Sequence, residues 1–392
     1  MTTTLVAKRL RGQEGSPTLA LAAKAKALAK AGKPVLDFTA GEPDCPTPPA
    51  IKQAAIAAIN ANRTAYTPVA GIPELRAAVA SDLSKRLGVS YAAEQVIVSC
   101  GAKHALYNVI QAVCDPGDEV LVLAPYWVSY LSQVQLAGAR PVVVETDERD
   151  HFQPDPDRVR QAVTGSTQAI ILNSPSNPTG MIIERSRLEA LARLALERRL
   201  VVISDEIYDQ LVFPPHQACS IVQVEPKLVD RTVVVNGVSK TYSMTGWRIG
   251  YAAGPRPLID AAITLQSHST SNPTSISQYA ALEALSRSHP EVPAMVREFQ
   301  ARRDRMVGGL NRLPGLSCVM PQGAFYAWCH IARLGLAADR VAAQLLEDAL
   351  VAVVPGEAFG SSRHIRLSFA TAQSTIDEGL QRLQQWLARR AS

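Results

Sequence analysis

Two segments of the chain carry reactive side chains directly after an apolar run. The run LVVIS (200–204) is followed by Asp205, and the run TVVVN (232–236) by a loop rich in hydroxyl groups and glycine that contains Lys240. A carboxylate that ends a buried strand needs a partner, because burying an unpaired charge is costly; a helix N-cap or a salt bridge would supply one. A lysine amine with a lowered pKa can act as a nucleophile and as a base, although a single loop lysine is usually solvated.

Two further segments follow apolar runs and carry weaker signals. The segment CGAKHALYN (100–108) contains a Gly-Ala turn that could open a helix and offer its N–H groups to a phosphate. The segment SPSNPTG (174–180) is first of all a turn signal. Neither decides a function alone.

These segments belong to a regular alternation of apolar runs and helical patterns between residues 95 and 254. Runs this rich in Val, Ile and Leu suit strands that are buried on both faces. The alternation predicts an α/β fold, a doubly wound and mostly parallel seven-stranded sheet. Ligands of such sheets collect at the carboxyl ends of the strands. The seven runs lie at 95–99, 119–124, 140–145, 168–173, 200–204, 232–236 and 248–253.

The C-terminal third has a different pattern. Residues 291–313 and 375–390 have the spacing of long amphipathic helices. Short strand-like runs lie between them, at 324–330, 351–355 and 364–370. We therefore predict a large α/β domain over 46–290 and a smaller α+β domain formed by 1–45 together with 291–392.

Composition excludes several classes of protein. The 392 residues are 47% hydrophobic and 19% charged, as in ordinary globular proteins. No apolar run approaches the roughly 20 residues of a membrane helix, and no signal peptide is visible, so a cytoplasmic location is expected. The formal charge of +5 is spread along the chain, which argues against nucleic-acid binding. The cysteines form no CxxC pair and the histidines show no HExxH-like spacing, so neither disulfides nor a metal site are expected.

Taken together, the motifs are far more specific than each one alone. The chain resembles the fold-type I pyridoxal-phosphate enzymes of the class I/II aminotransferase family, and within it the bacterial aspartate aminotransferase branch, over nearly its whole length. The segment around Lys240 is the most specific. The motifs that carry the resemblance are SPTLALAAKAKAL (16–28), TAGEPD (39–44), YTPVAGIPELR (66–76), PYWVSY (125–130), NSPSNPTG (173–180), SDEIY (204–208), SKTYSMTGWRIGYAAGP (239–255) and HIRLSFA (364–370).

The resemblance implies a cofactor, pyridoxal 5′-phosphate, and a catalytic set of Lys240, Asp205 and Tyr208. Lys240 would hold the cofactor as a Schiff base and then move the substrate's α-proton. Asp205 would pair with the protonated pyridine nitrogen. Tyr208 and Asn177 would hydrogen-bond the phenolic oxygen of the ring, and Trp127 would stack on it.

The resemblance also implies how the phosphate is bound. It would sit at the helix start formed by Gly101, Ala102 and Lys103, held also by Ser239 and Arg248. Tyr66 matches a tyrosine that reaches the phosphate from the other subunit, so a homodimer with shared active sites is expected. One departure is Gly237, where many relatives carry a phosphate-binding serine.

Substrate recognition follows from the same likeness. Arg366 would clamp the α-carboxylate as a bidentate fork, assisted by Gly41, Asn177 and Trp127. The stretch 268–276, where animal-type aspartate aminotransferases carry an arginine for the second carboxylate, contains none.

In the similar bacterial branch a lysine in the position of Lys103 takes the second carboxylate, helped by hydroxyls near Ser16 and Thr18. We therefore favour aspartate and glutamate as amino donors and 2-oxoglutarate or oxaloacetate as acceptor, with prephenate left open. An aromatic or alanine-type aminotransferase and a C–S β-lyase are the alternatives.

Overall fold

The computed structural model of the protein describes residues 5–11, 15 and 17–391. The strands are β1 (Leu36–Asp37), β2 (Val96–Ser99), β3 (Glu119–Ala124), β4 (Arg140–Glu145), β5 (Thr167–Asn173), β6 (Val201–Asp205), β7 (Thr232–Gly237), β8 (Gly250–Ala253), β9 (Ser317–Cys318), β10 (Tyr326–His330), β11 (Val351–Ala352), β12 (Val354–Pro355) and β13 (His364–Ser368). The α-helices are α1 (Pro17–Lys30), α2 (Pro49–Asn60), α3 (Pro73–Leu87), α4 (Ala102–Val113), α5 (Ser129–Leu136), α6 (Pro156–Ala162), α7 (Arg185–Arg198), α8 (Ile221–Val224), α9 (Arg256–Ser267), α10 (Ser275–Ser286), α11 (Glu291–Leu310), α12 (Ala338–Asp348) and α13 (Gln373–Ala391).

The seven predicted strands form one sheet with the order β2-β8-β7-β6-β5-β3-β4. Strands β4, β3, β5, β6 and β7 run parallel to one another. Strand β8 runs antiparallel to both β7 and β2. The predicted α/β class and the mostly parallel seven-stranded sheet are confirmed.

Alternating residues of the central strands bury their side chains on opposite faces of this sheet. In β7, Val234 packs into a core that includes residues of α3, α7 and α10. Its neighbours Val233 and Val235 pack into a second core with residues of α4, α5 and α9. Helices therefore cover both faces, which explains why these strands are apolar at nearly every position.

A second, four-stranded antiparallel sheet has the order β12-β13-β10-β9. It packs with α11, α12 and α13 around a third apolar core. The run 351–355 does not form one strand: β11 pairs with β1 near the N-terminus, whereas β12 pairs with β13. The N-terminal segment thus contacts the C-terminal part, as expected, while the domain boundaries themselves stay a prediction.

Strand direction brings the reactive loops together. Asp205 and Lys240 follow the carboxyl ends of β6 and β7, and α4 follows β2 at the same edge. Because β8 is antiparallel, the residue that lies at this edge is Arg248, just before the strand begins. One edge of the sheet therefore collects side chains from four strands.

Candidate active site

The cavity at this edge has a volume of about 440 Å³. Its walls come from both sheets and from the N-terminal segment. The residues that line it include Gly41, Ala102, Lys103, Trp127, Asn177, Asp205, Tyr208, Ser239, Lys240, Arg248 and Arg366.

The N-terminus of α4 forms one end of the cavity. Gly101 precedes the helix with φ +88°, a left-handed conformation that favours glycine. A Cβ atom at this position would lie 2.5 Å from the Arg248 guanidinium. The first N–H groups of a helix have no intrahelical acceptor, so together with the Arg248 charge they form a binding site for an anion. This geometry fits a phosphate.

A glycine on β8 lets the helix start approach the sheet, and a glycine on β7 lies opposite it. A Cβ atom on Gly250 would lie 2.0 Å from the Ala102 backbone nitrogen, closer than any contact allows. Gly237 pairs with Gly250 across β7 and β8, and a Cβ there would lie 3.0 Å from the Gly250 Cα. The glycine at 237, where many relatives carry serine, therefore occupies a position with little room for a side chain.

Asp205 is a buried carboxylate whose hydrogen-bond partners among the described residues are neutral. Its Oδ2 accepts a 2.6 Å hydrogen bond from the Tyr130 hydroxyl, and its Oδ1 accepts one of 3.3 Å from the Ile207 amide. Burial raises the pKa of Asp205 to about 6. A cation beside this carboxylate would stabilise its charged form, and a protonated ring nitrogen would be such a cation.

Lys240 has an enclosed amine, whose Nζ donates a hydrogen bond to the Gly41 carbonyl. Burial lowers the pKa of Lys240 to about 8; the Glu42 charge opposes this shift, and the charges of Arg366 and Arg248 add to it. An amine with a pKa this close to neutral is deprotonated in a substantial fraction of molecules. It is therefore suited to nucleophilic attack and to proton transfer.

Arg366 is a buried guanidinium held by neutral partners. Its Nη1 donates to the Asn177 side chain at 2.9 Å and its Nη2 to the Thr39 carbonyl at 3.0 Å. The guanidinium carbon lies 4.3 Å from the centre of the Tyr326 ring. Its Nε makes no hydrogen bond within the described part of the chain. A buried arginine without a carboxylate is a ready receptor for a ligand's carboxylate.

Comparison with known proteins identifies the family. Residues 33–383 match the family described as aminotransferase class I and II. The chain is 45% identical to an aspartate aminotransferase of Geobacillus stearothermophilus, over 98% of this chain and 100% of the relative. It is 44% identical to an aspartate/prephenate aminotransferase of Thermus thermophilus, over 98% and 99%. A solved aspartate aminotransferase from Thermus thermophilus with maleate superposes with a TM-score of 0.94 at 43% identity, covering 98% of this chain and 100% of that one.

The chain belongs to the class I and II aminotransferases. It is thus a pyridoxal-phosphate-dependent enzyme of transamination, as the sequence predicts. None of the helices in the described part of the aminotransferase combines the length and apolar character needed to cross a membrane.

Not every predicted site residue of the aminotransferase lies in this cavity. Tyr66 is 91% exposed and does not line it, in keeping with a contact from a second subunit. Ser16 lies outside the described residues. Thr18 lies in α1, and its side chain is outside the described part. The remaining predicted residues lie in the cavity, with Gly101 flanking it through its contact with Arg248.

Sequence reasoning missed several side chains of the aminotransferase site, among them Tyr130, Tyr326 and Lys26. Tyr130 bonds Asp205, and Tyr326 places its hydroxyl 3.0 Å from that of Tyr208. Lys26, on α1, also lines the cavity. Tyr130 ends the quoted motif PYWVSY and Tyr326 lies in the run 324–330, so both were visible as residues. Their contacts with Asp205 and Tyr208 join segments that are far apart in sequence, and hydrophobic periodicity does not predict such contacts.

The raised pKa of Asp205 predicts a stability effect. Between its ordinary pKa, 3.8, and about 6, the folded cofactor-free chain holds a proton that the unfolded chain releases. Its stability therefore falls as the pH rises through this window. We expect Asp205→Asn to remove this component and to raise the unfolding free energy of the cofactor-free protein above pH 6 by up to about 3 kcal/mol, at ~1.4 kcal/mol per pKa unit. Urea unfolding at a series of pH values measures it.

The control is Asp115→Asn, because Asp115 is exposed. It should leave the pH profile of the wild type unchanged. If the unfolding free energy of Asp205→Asn depends on pH as that of the wild type does, burial of Asp205 does not destabilise the cofactor-free protein.

Proposed function

We propose that the chain is an aspartate aminotransferase that exchanges the amino group of aspartate or glutamate for the oxo group of 2-oxoglutarate or oxaloacetate. The observation that carries the proposal is a cavity with a cation at two separate positions, Arg366 and Lys103, as a dicarboxylate requires. Two similar proteins support it: the aspartate aminotransferase solved with maleate, a dicarboxylate, and the aspartate/prephenate enzyme, which keeps prephenate open as an acceptor.

The residues fit the cofactor at both of its polar ends. The α4 start with Arg248 and Ser239 suits its phosphate, and Asp205 suits its ring nitrogen. Tyr208, Asn177 and Trp127 line the same cavity; the first two would hydrogen-bond its phenolic oxygen, and Trp127 would stack on its ring.

Bound pyridoxal phosphate supplies an electron sink for the negative charge left when the substrate's α-proton departs. Each neighbouring residue then has one task. Lys240 would hold the cofactor through Nζ and would accept the substrate's α-proton on the same atom. Asp205 would hold the ring nitrogen as its negative partner. Arg366 fixes the α-carboxylate, so that the α-hydrogen has a defined position relative to Lys240.

Lys103 is the proposed receptor for the second carboxylate. The side chain as a whole is exposed, but its amine lies 4.9 Å from the centre of the Trp127 ring, inside the cavity rim. Desolvation, and after it the Arg248 charge, lower the pKa of Lys103. An anion beside this amine would relieve both effects.

The transamination test is a half-reaction panel on the purified enzyme. Each amino acid is mixed with the cofactor-loaded protein, and the change in cofactor absorbance is followed as the amino group is transferred. We expect the fastest conversion with aspartate and glutamate, and an oxo acid without free ammonia. Release of ammonia would indicate the C–S β-lyase alternative. Preference for aromatic amino acids or alanine would indicate an aromatic or alanine-type aminotransferase.

Borohydride reduction tests the role of Lys240. It should attach the cofactor covalently to Lys240, and peptide mapping that finds the cofactor on another residue would contradict this role.

The second-carboxylate proposal predicts a selective loss. Lys103→Ala should lower kcat/KM for aspartate by about tenfold or more, the usual effect of losing a charged hydrogen-bond partner. It should change kcat/KM for alanine much less. Steady-state kinetics with both donors measure the difference. Lys26→Ala is the matched comparison, because Lys26 is the other lysine on the cavity wall. Equal losses for the two donors, or a selective loss only in Lys26→Ala, would show that Lys103 is not the receptor.

We propose that the enzyme works as a homodimer, with Tyr66 of the partner subunit binding the phosphate. The high exposure of Tyr66 in the single chain supports this. Tyr66→Phe should weaken cofactor binding by about tenfold, since it removes a hydrogen bond to a charged group. Equilibrium dialysis of the cofactor measures it, with Tyr107→Phe, at an exposed position of α4, as the control. If light scattering shows a monomer at a concentration at which the enzyme is fully active, the dimer proposal is contradicted.

Two further predictions from the sequence concern the domain division and the cellular location. The division into a large domain over 46–290 and a small domain from 1–45 with 291–392 is supported by the separate core around β10 and β13. The cytoplasmic location stays a prediction from the sequence.

A further inference from the structure

Three potential metal ligands meet outside the set of residues that line the cofactor cavity. They are Glu148, which follows β4, His330 at the end of β10, and His364 at the start of β13. One ligand atom from each lies within 4.8 Å of the other two. His330 and His364 are direct partners in the antiparallel register of the two strands. None of the three lines the cavity that holds Lys240.

His364 is the most constrained member of this cluster. It is 3% exposed, and its ring stacks on Trp328 with centres 4.9 Å apart. Its Nδ1 lies 2.8 Å from the Ser361 hydroxyl oxygen, which also accepts the Arg363 amide at 3.3 Å. This oxygen is thus placed to accept the Nδ1 hydrogen. A metal-binding histidine commonly gives its second nitrogen to such a partner, which fixes its orientation.

The other nitrogen of His364 is buried and has no hydrogen-bond partner in the part of the chain that the structure describes. It points at the Glu148 carboxylate, 3.6 Å away. With the hydrogen on Nδ1, this nitrogen presents a lone pair to an anionic oxygen. Two electron-rich atoms facing each other repel, and a cation between them converts the repulsion into attraction. The cluster of three ligands and the buried His364 nitrogen that faces Glu148 are thus two separate observations that indicate a cation site.

We propose that Glu148, His330 and His364 bind one divalent transition-metal ion of the zinc class. Two imidazoles and one carboxylate are a ligand set that zinc accepts, with a water molecule completing four-coordination. At metal–ligand distances near 2.1 Å, tetrahedral ligand atoms lie about 3.4 Å apart. The separation of 3.6 Å between Glu148 and His364 is close to this value. Rotation of the partly exposed Glu148 and His330 side chains brings in the third contact.

The ion would join the two sheets. Glu148 belongs to the segment after an edge strand of the seven-stranded sheet, whereas both histidines belong to the four-stranded sheet. His364 lies two residues before Arg366 on β13 and therefore on the same face of the strand. The ion would therefore link β13, which carries Arg366, to the seven-stranded sheet. Its ligands are 34 and 182 residues apart in sequence, which is why no ligand spacing is visible.

Zinc binding to the cofactor-loaded enzyme tests the proposal. The protein is prepared without a histidine tag, treated with a chelator and titrated with zinc by isothermal calorimetry. We expect one zinc ion per chain and a rise in the melting temperature with zinc concentration, because the three ligands come together only in the folded state. Glu148→Gln and His330→Gln should each weaken binding by about tenfold or more, the loss seen even for supporting residues of metal sites. Both positions are partly exposed, so the variants should fold.

His216→Gln is the matched control, since His216 is exposed and lies outside the cluster. It should bind zinc like the wild type. The absence of stoichiometric zinc in the wild type would overturn the proposal and leave His364 facing Glu148 without an ion between them. Unchanged affinity in both cluster variants, or an equal loss in His216→Gln, would also overturn it. Because zinc binding is measured directly, these outcomes do not depend on whether the enzyme transaminates aspartate.

Discussion

The active site rests on two buried charges whose hydrogen-bond partners, within the described part of the chain, are neutral. Asp205 is bonded by a tyrosine hydroxyl and a backbone amide, and Arg366 by an amide oxygen and a carbonyl. Burying such groups unpaired opposes folding. The apolar cores on both faces of the seven-stranded sheet provide the stability that tolerates them. Each charge then becomes a selective receptor, Asp205 for a cation and Arg366 for an anion.

The direction of one strand brings the phosphate site together with these charges. Five strands of the sheet are parallel, so their carboxyl ends deliver Asp205 and Lys240 to one edge. Strand β8 runs the other way and delivers Arg248 from its amino end. Gly250 then allows the N-terminus of α4 to pack within contact distance of that edge. A parallel β8 would place Arg248 at the opposite edge, away from the helix start.

Most of the fold was predictable because its signals are local. All seven strands of the large sheet were found from apolar runs, within two residues at each end. The order of reactive residues after those strands, together with the family resemblance, located the cavity. The Tyr130–Asp205 bond, the split of 351–355 between two sheets and the meeting of Glu148 with two histidines could not be predicted. Each depends on register or rotamers that connect residues far apart in sequence.

The buried charges are also coupled to one another. The pKa of Lys240 is lowered first by burial and, among its neighbours, by the positive charges of Arg366 and Arg248. A carboxylate bound to Arg366 and a phosphate bound to Arg248 neutralise those charges, so each anion raises the affinity of Nζ for a proton. The cation at Asp205 acts in the opposite direction, because it cancels a charge that favours protonated Lys240. Binding of substrate therefore changes the proton affinity of the residue that must carry the substrate's α-proton, through charges that the fold has already placed.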